Sequence, residues 1–75
     1  MKTGFKDGWY WAIPPIAESR IPVCDWICAN IGPVDETKHY DPENGKPGLW
    51  YTVWGRKKFW FRNEADRDFF ARNWK

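Results

Sequence analysis

The sequence predicts an α+β fold: a small single domain with an antiparallel sheet of about three strands and two helices. Residues 49–62 alternate like two strands joined by a tight basic turn, and residues 64–74 follow with helical spacing of apolar side chains. A further aromatic run at residues 9–13 suits a strand. At 75 residues the chain has the length of one domain, so residues 1–75 are expected to form a single unit.

The first predicted strand covers residues 9–13, where aromatic and β-branched side chains favour extended structure. Two consecutive prolines follow it and cannot donate to a ladder, which predicts an edge strand. Alternation places Trp9, Trp11 and Ile13 on one face. Residues 1–8 carry two glycines and three charges and are expected to form a flexible lead-in.

A short helix is predicted near residues 22–31. Pro22 suits the first helical position. Asn30, or Gly32 with the proline that follows it, is a typical signal for the end of a helix. Apolar side chains cover most of its circumference, so this helix is expected to be buried or docked. A strand is the alternative, because short apolar runs are ambiguous by period.

Residues 33–48 are rich in Pro, Gly and acidic side chains and are expected to form a long polar loop. Asn44 and Gly45 are its sharpest turn signal. Residues 37–40 have a short strand as an alternative. A loop of about sixteen residues in a small domain is either functional or mobile.

The hairpin organises the rest of the chain. Leu49, Tyr51 and Val53 share one face, and Phe59 and Phe61 of the returning strand join that face if the turn has three residues. A two-residue turn would mix the faces, because a slip of one residue reverses every side chain. The opposite, mixed aromatic and basic face is the predicted binding site: Trp50, Trp54, Arg56, Lys57, Lys58, Trp60 and Arg62.

The C-terminal helix, residues 64–74, starts after Asn63, a good capping residue, and carries acidic side chains in its first turn. Its apolar stripe is expected to pack on the face with Phe59 and Phe61. The stripe consists of Ala65, Phe69, Phe70 and Trp74.

No catalytic, metal or cofactor site is predicted, and the protein is expected not to be an enzyme. The chain has one His and neither a Gly-x-Ser-x-Gly elbow nor a glycine-rich phosphate loop. Cys24, Cys28, His39 and Asp41 fall short of structural zinc spacings. The two cysteines are expected to be buried, reduced thiols of a cytoplasmic protein. No apolar run of the roughly 18 residues of a membrane span occurs.

Seven Trp, five Phe and three Tyr exceed what a core of this size holds, so some rings are expected at a contact surface. Trp and Arg are typical anchors for a protein partner. Exposed rings among cations also suit single-stranded nucleic acid, although the net charge of only +2 requires a local patch. Self-association into a homo-oligomer is a third interpretation. Alternatively, the early helix covers these Trp side chains and the basic turn only adds solubility.

The end of the chain combines two strand phenylalanines, an Asn-Glu-Ala-Asp helix start and aromatic residues along the helix. These residues are Phe59, Phe61, Asn63, Glu64, Ala65, Asp66, Phe69, Phe70 and Trp74. The pattern resembles the strand-then-helix ending of many small uncharacterised proteins of tailed bacteriophages. That resemblance implies a phage-encoded accessory protein that binds and inhibits or redirects a host or defence protein in the host cytoplasm, and it assigns no functional residue.

Overall fold

A computed structural model describes residues 1–15, 20–39, 41–52 and 58–74, and these residues confirm the α+β class. They form one four-stranded antiparallel sheet in the order β1-β2-β4-β3, together with three helices. The elements are β1 Lys2–Lys6, β2 Trp9–Ile13, α1 Arg20–Asn30, α2 Glu36–His39, β3 Trp50–Thr52, β4 Phe59–Phe61 and α3 Glu64–Asn73.

The prediction of a flexible lead-in is wrong, because Lys2–Lys6 forms strand β1 and pairs along its whole length with β2. Asp7 and Gly8 connect the two strands with φ values of 54° and 83°. Asp-Gly tolerates positive φ and is a strong signal for a two-residue hairpin turn. Since β1 takes the edge of the sheet, β2 is an internal strand and not the predicted edge strand.

The core lies between one face of the sheet and the helices α1 and α3. The Phe70 ring of α3 packs 5.4 Å from the Phe59 ring and 5.2 Å from the Phe61 ring, measured between centroids. From α1, Val23 and Ile27 complete this layer. The buried cluster consists of Ala12, Val23, Ile27, Trp50, Phe59, Phe61 and Phe70. We call this side of the sheet the core face.

The two long helices match their predictions closely. Helix α1 begins at Arg20, two residues before the predicted start at Pro22, and excludes the alternative of a strand. Helix α3 covers Glu64–Asn73 as expected. Its capping residue Asn63 is extended but makes no side-chain bond to the backbone, and its amide instead donates to the Asp66 carboxylate at 3.3 Å.

Residues 33–48 are more structured than the predicted loop. Val34 forms a parallel bridge with Trp50, and the Asp35 N–H donates to the Trp50 carbonyl at 2.6 Å. Residues 36–39 form α2, so the strand alternative there is wrong. This segment therefore covers the start of the outer edge of β3, at Trp50.

The predicted register of the hairpin is wrong by one residue. Trp50 pairs with Phe61, and Thr52 pairs with Phe59. Because side chains alternate between faces, this pairing sends Trp50 and Thr52 to the core face and Tyr51 to the opposite face. The Trp50 indole N–H donates to the Gly32 carbonyl at 2.9 Å, so burial leaves its polar atom satisfied. The turn at residues 53–57 lies outside the described residues.

Candidate functional site

The side of the sheet opposite the core face is the candidate site, and we call it the open face. Neither α1 nor α3 packs on it, since both contribute to the core on the other side. Strand alternation and the observed registers define its members. They are Lys2, Gly4, Lys6, Trp9, Trp11, Ile13, Tyr51, Lys58, Trp60 and Arg62.

The rings of the open face pack mainly against one another. Tyr51 and Trp60 are cross-strand neighbours, with ring planes 4° apart and centroids separated by 5.8 Å. Trp9 meets Tyr51 edge to face, with centroids 4.8 Å apart and planes at 90°. Trp9 is buried, whereas Tyr51 and Trp60 are half-buried. The flat surfaces of these rings are thus largely used within the molecule.

Lys58 lies over the middle of this aromatic layer. Its ammonium is 4.3 Å from the Trp11 ring centroid and 4.7 Å from that of Trp60, which is the range of cation–π attraction. Trp11 in turn covers Gly4 of β1, where an added Cβ would clash with the indole ring. The absence of a side chain at Gly4 therefore lets the indole approach the strand.

Arg62 joins the open face to the edge of the sheet. Its guanidinium carbon lies 4.3 Å from the Trp9 ring centroid, and one N–H donates to the Asp35 carboxylate at 2.8 Å. A second guanidinium N–H donates to the Gly48 carbonyl at 3.2 Å. The Asp35 side chain is 1% exposed and that of Arg62 is 46% exposed. Arg62 is thus held in place by contacts within the chain.

Asp35 is the buried carboxylate that anchors this arrangement. Its burial alone would raise its pKa, but hydrogen bonds outweigh that effect and lower the pKa below the ordinary value. The donors are the Thr37 hydroxyl and N–H, the Gly48 N–H and the Arg62 guanidinium. Asp35 therefore remains ionised at neutral pH.

Tyr51 remains protonated at neutral pH. Burial raises its pKa, and the negative charges of Asp7 and Asp35 raise it further. A protonated phenol can both donate and accept a hydrogen bond.

The structure brings together only part of the predicted site. Lys58, Trp60 and Arg62 lie on the open face. Trp50 does not, because it is 3% exposed in the core. Trp54, Arg56 and Lys57 lie outside the described residues.

Sequence reasoning missed that Trp9, Trp11 and Tyr51 belong to the same surface as Trp60. Alternation correctly placed Trp9 and Trp11 on one face of their strand. Their meeting with Trp60 depends on the pairing of β2 with β4, which joins residues far apart in sequence. A local pattern contains no signal for that pairing.

The cysteines lie on α1, away from the open face, and both are thiols. Cys24 is half-buried and Cys28 is exposed, so the prediction of burial is wrong for Cys28. Although Cys28 is exposed, neighbouring atoms desolvate its sulfur in part, and this effect and the Asp25 charge raise the pKa of Cys28, which keeps the thiol protonated at neutral pH. Within the described residues, no three His, Cys, Asp or Glu side chains are grouped to hold a metal ion.

Among the described helices, none has the length and apolar character needed to cross a membrane. Comparison of the chain with protein-family models, with curated proteins and with solved structures gave no match. The resemblance to phage proteins therefore stays a prediction, and the geometry of the open face is what bears on function.

Proposed function

We propose that this protein is a non-enzymatic module that binds a partner protein through the open face. The observation that carries the proposal is the layer of Trp9, Trp11, Tyr51 and Trp60 beside the cation of Lys58, with neither long helix on top of it. Trp, Tyr and Arg dominate the binding energy of protein interfaces, where they lie at the centre of the contact.

The ring geometry favours a protein over single-stranded nucleic acid. Bases bind such surfaces by stacking on free ring faces. Here Tyr51 and Trp60 lie parallel to each other, and Lys58 occupies the ring faces of Trp11 and Trp60. A base would have to displace these contacts, whereas a protein surface can contact ring edges and lysine stems directly.

The charges on the open face favour an acidic region on the partner. Lys2 and Lys6 are exposed at one side, and Lys58 lies at the centre. The cation of Arg62 is paired with Asp35 and contributes less to the net field. A partner with Asp or Glu around an apolar centre would complement this surface.

The narrower form of the proposal is a phage-encoded inhibitor or modulator of a host or defence protein. It follows from the resemblance of the C-terminal strand and helix to small phage proteins. In that form the partner is a bacterial protein, which sets the choice of lysate for the test.

The test is an affinity capture from bacterial lysate, with and without nuclease, followed by calorimetry with the captured protein. We expect Trp60→Ala and Lys58→Ala each to weaken binding at least tenfold, since both remove central contacts. Arg72→Ala is the matched control, because Arg72 is an exposed cation on α3. Equal affinity of all variants would exclude the open face, and prey lost after nuclease treatment would indicate nucleic acid instead.

A further inference from the structure

We propose that the outer edge of β1 accepts an extended, acidic segment of a partner protein as an additional strand. This inference rests on the proposed function, in that the partner is a protein. It adds a second contact surface and a mode of recognition, strand addition to a sheet edge.

The two edges of the sheet differ in how they are covered. At β3, the bridge between Val34 and Trp50 occupies the outer edge at Trp50. At the other side, β1 pairs with β2 alone among the described strands. The outer edge of β1 therefore presents backbone N–H and C=O groups that no described strand uses.

The turn identifies which backbone groups point outward. Because Asp7 and Gly8 form a two-residue turn, the flanking pair of Lys6 and Trp9 is a hydrogen-bonded pair, and such pairs alternate along the ladder. Thr3 and Phe5 thus direct their N–H and C=O groups away from β2. These two residues would form the ladder with an added strand.

The side chains of β1 define what kind of strand fits. Lys2 and Lys6 point to the open face, and Thr3 and Phe5 point to the core face. Phe5 is 60% exposed and contacts only the neighbouring Tyr10 ring among the described aromatic residues, with centroids 4.7 Å apart. A complementary strand carries apolar residues opposite Phe5 and carboxylates opposite the two lysines.

The lysines argue against a second copy of the chain as the occupant. An antiparallel pairing of two β1 strands over their full length is centred on Gly4 and sets Lys2 of one copy opposite Lys6 of the other. Like charges directly opposite each other destabilise a sheet. A segment with Asp or Glu at two positions four residues apart pairs with both lysines instead.

The test uses a seven-residue peptide that alternates Glu with Val, blocked at both ends, and a control peptide that alternates Lys with Val. We expect the Glu peptide to bind at least tenfold more tightly, with amide shifts in NMR spectra concentrated at Thr3 and Phe5. A double variant, Lys2→Glu with Lys6→Glu, should reverse this preference, and it keeps the fold because both side chains are exposed.

Equal affinities for the two peptides, or shifts that map away from β1, would overturn the proposal. A dimer of the protein alone whose interface maps to Thr3 and Phe5 would also overturn it, because a second copy would then occupy the edge. The peptide experiment does not involve Trp60 or Lys58. If the Glu peptide did not bind but the protein still captured its partner from lysate, the β1 edge site would be rejected. The open face would then remain as the binding surface.

Discussion

The two faces of the sheet use the same class of residue for different purposes. On the core face, Phe59 and Phe61 lie under the Phe70 ring of α3 and are fully buried. On the open face, Trp60 of the same strand lies under the side chain of Lys58 and is half-buried. A helix covers the rings with a packed apolar surface, whereas a lysine side chain leaves ring edges and its own apolar stem open to a partner. The group that covers the ring, and not the type of ring, therefore distinguishes a core residue from a candidate binding residue.

The strongest test of this comparison uses neighbouring residues of β4. Phe59→Ala should lower the free energy of unfolding by about 3–5 kcal/mol, because it leaves a cavity in the core. For a domain this small, such a loss approaches the whole stability. Trp60→Ala should cost about 1–2 kcal/mol, since the ring is only half-buried. Urea unfolding followed by circular dichroism measures both, and equal losses would remove the distinction between the faces.

The next effect concerns the carboxylate that fixes Arg62 over Trp9. Asp35→Ala should cost about 1–3 kcal/mol, because buried donors at Gly48 and Thr37 lose their acceptor. Half of the Arg62 side chain is in solvent, so its lost ion pair adds little. Thermal unfolding measures the loss. A change confined to a few tenths of a kcal/mol would show that the segment at the β3 edge is stable without Asp35.

The same carboxylate predicts a dependence of stability on pH. The pKa of Asp35 is lowered in the folded protein, so its contribution is complete above the unfolded value of about 3.9. That contribution disappears as the pH falls from this value through the lower folded pKa. Unfolding measured from pH 6 to pH 2 should show a steeper acid loss for the wild type than for Asp35→Asn. If the wild type and Asp35→Asn lost stability equally as the pH falls, Asp35 would not be the group responsible for the acid loss.

The smallest expected effect on stability is that of Lys58→Met. The variant keeps the apolar stem over Trp11 and Trp60 but removes the cation, so it should cost about 0.5–1 kcal/mol. Partner binding should fall much more than stability, which sharpens the contrast between the two faces. Calorimetry measures the partner affinity, and urea unfolding of the same sample measures the stability. Equal proportional losses of affinity and of stability would argue against a role of Lys58 in recognition.

Features with a local signal were predictable from the sequence. The helix α3 follows from Asn63, the acidic first turn and the spacing of Phe70 and its neighbours. Strand β2 follows from its aromatic run. The hairpin of β1 and β2 also had a local signal, because Asp7-Gly8 is a typical turn pair, and the prediction overlooked it.

The register of β3 and β4 had no such signal. Alternation divides residues 49–52 into two sets, Trp50 with Thr52 and Leu49 with Tyr51. Each set contains a large ring, so hydrophobicity does not select which set faces the core. Burial of Trp50 is favoured by the Gly32 carbonyl, which lies 18 residues earlier. The composition of the open face depends on this register and on the pairing of β2 with β4. Most of the candidate site therefore required the tertiary structure.

The cover over β3 has a consequence for assembly. A protein that polymerises through its sheet needs an unpaired edge strand on each side of the sheet, so that every copy can pair with two others. Here the bridge of Val34 to Trp50 occupies the outer edge of β3 at Trp50, and a Cβ on Gly48 would clash with the Val34 backbone, so the two segments lie in close contact there. Among the described strands, β1 is the edge strand that no other segment bridges. A protein with one such edge strand can pair with one other sheet edge and leaves no second edge for the next copy. Assembly through sheet edges therefore stops after one pairing.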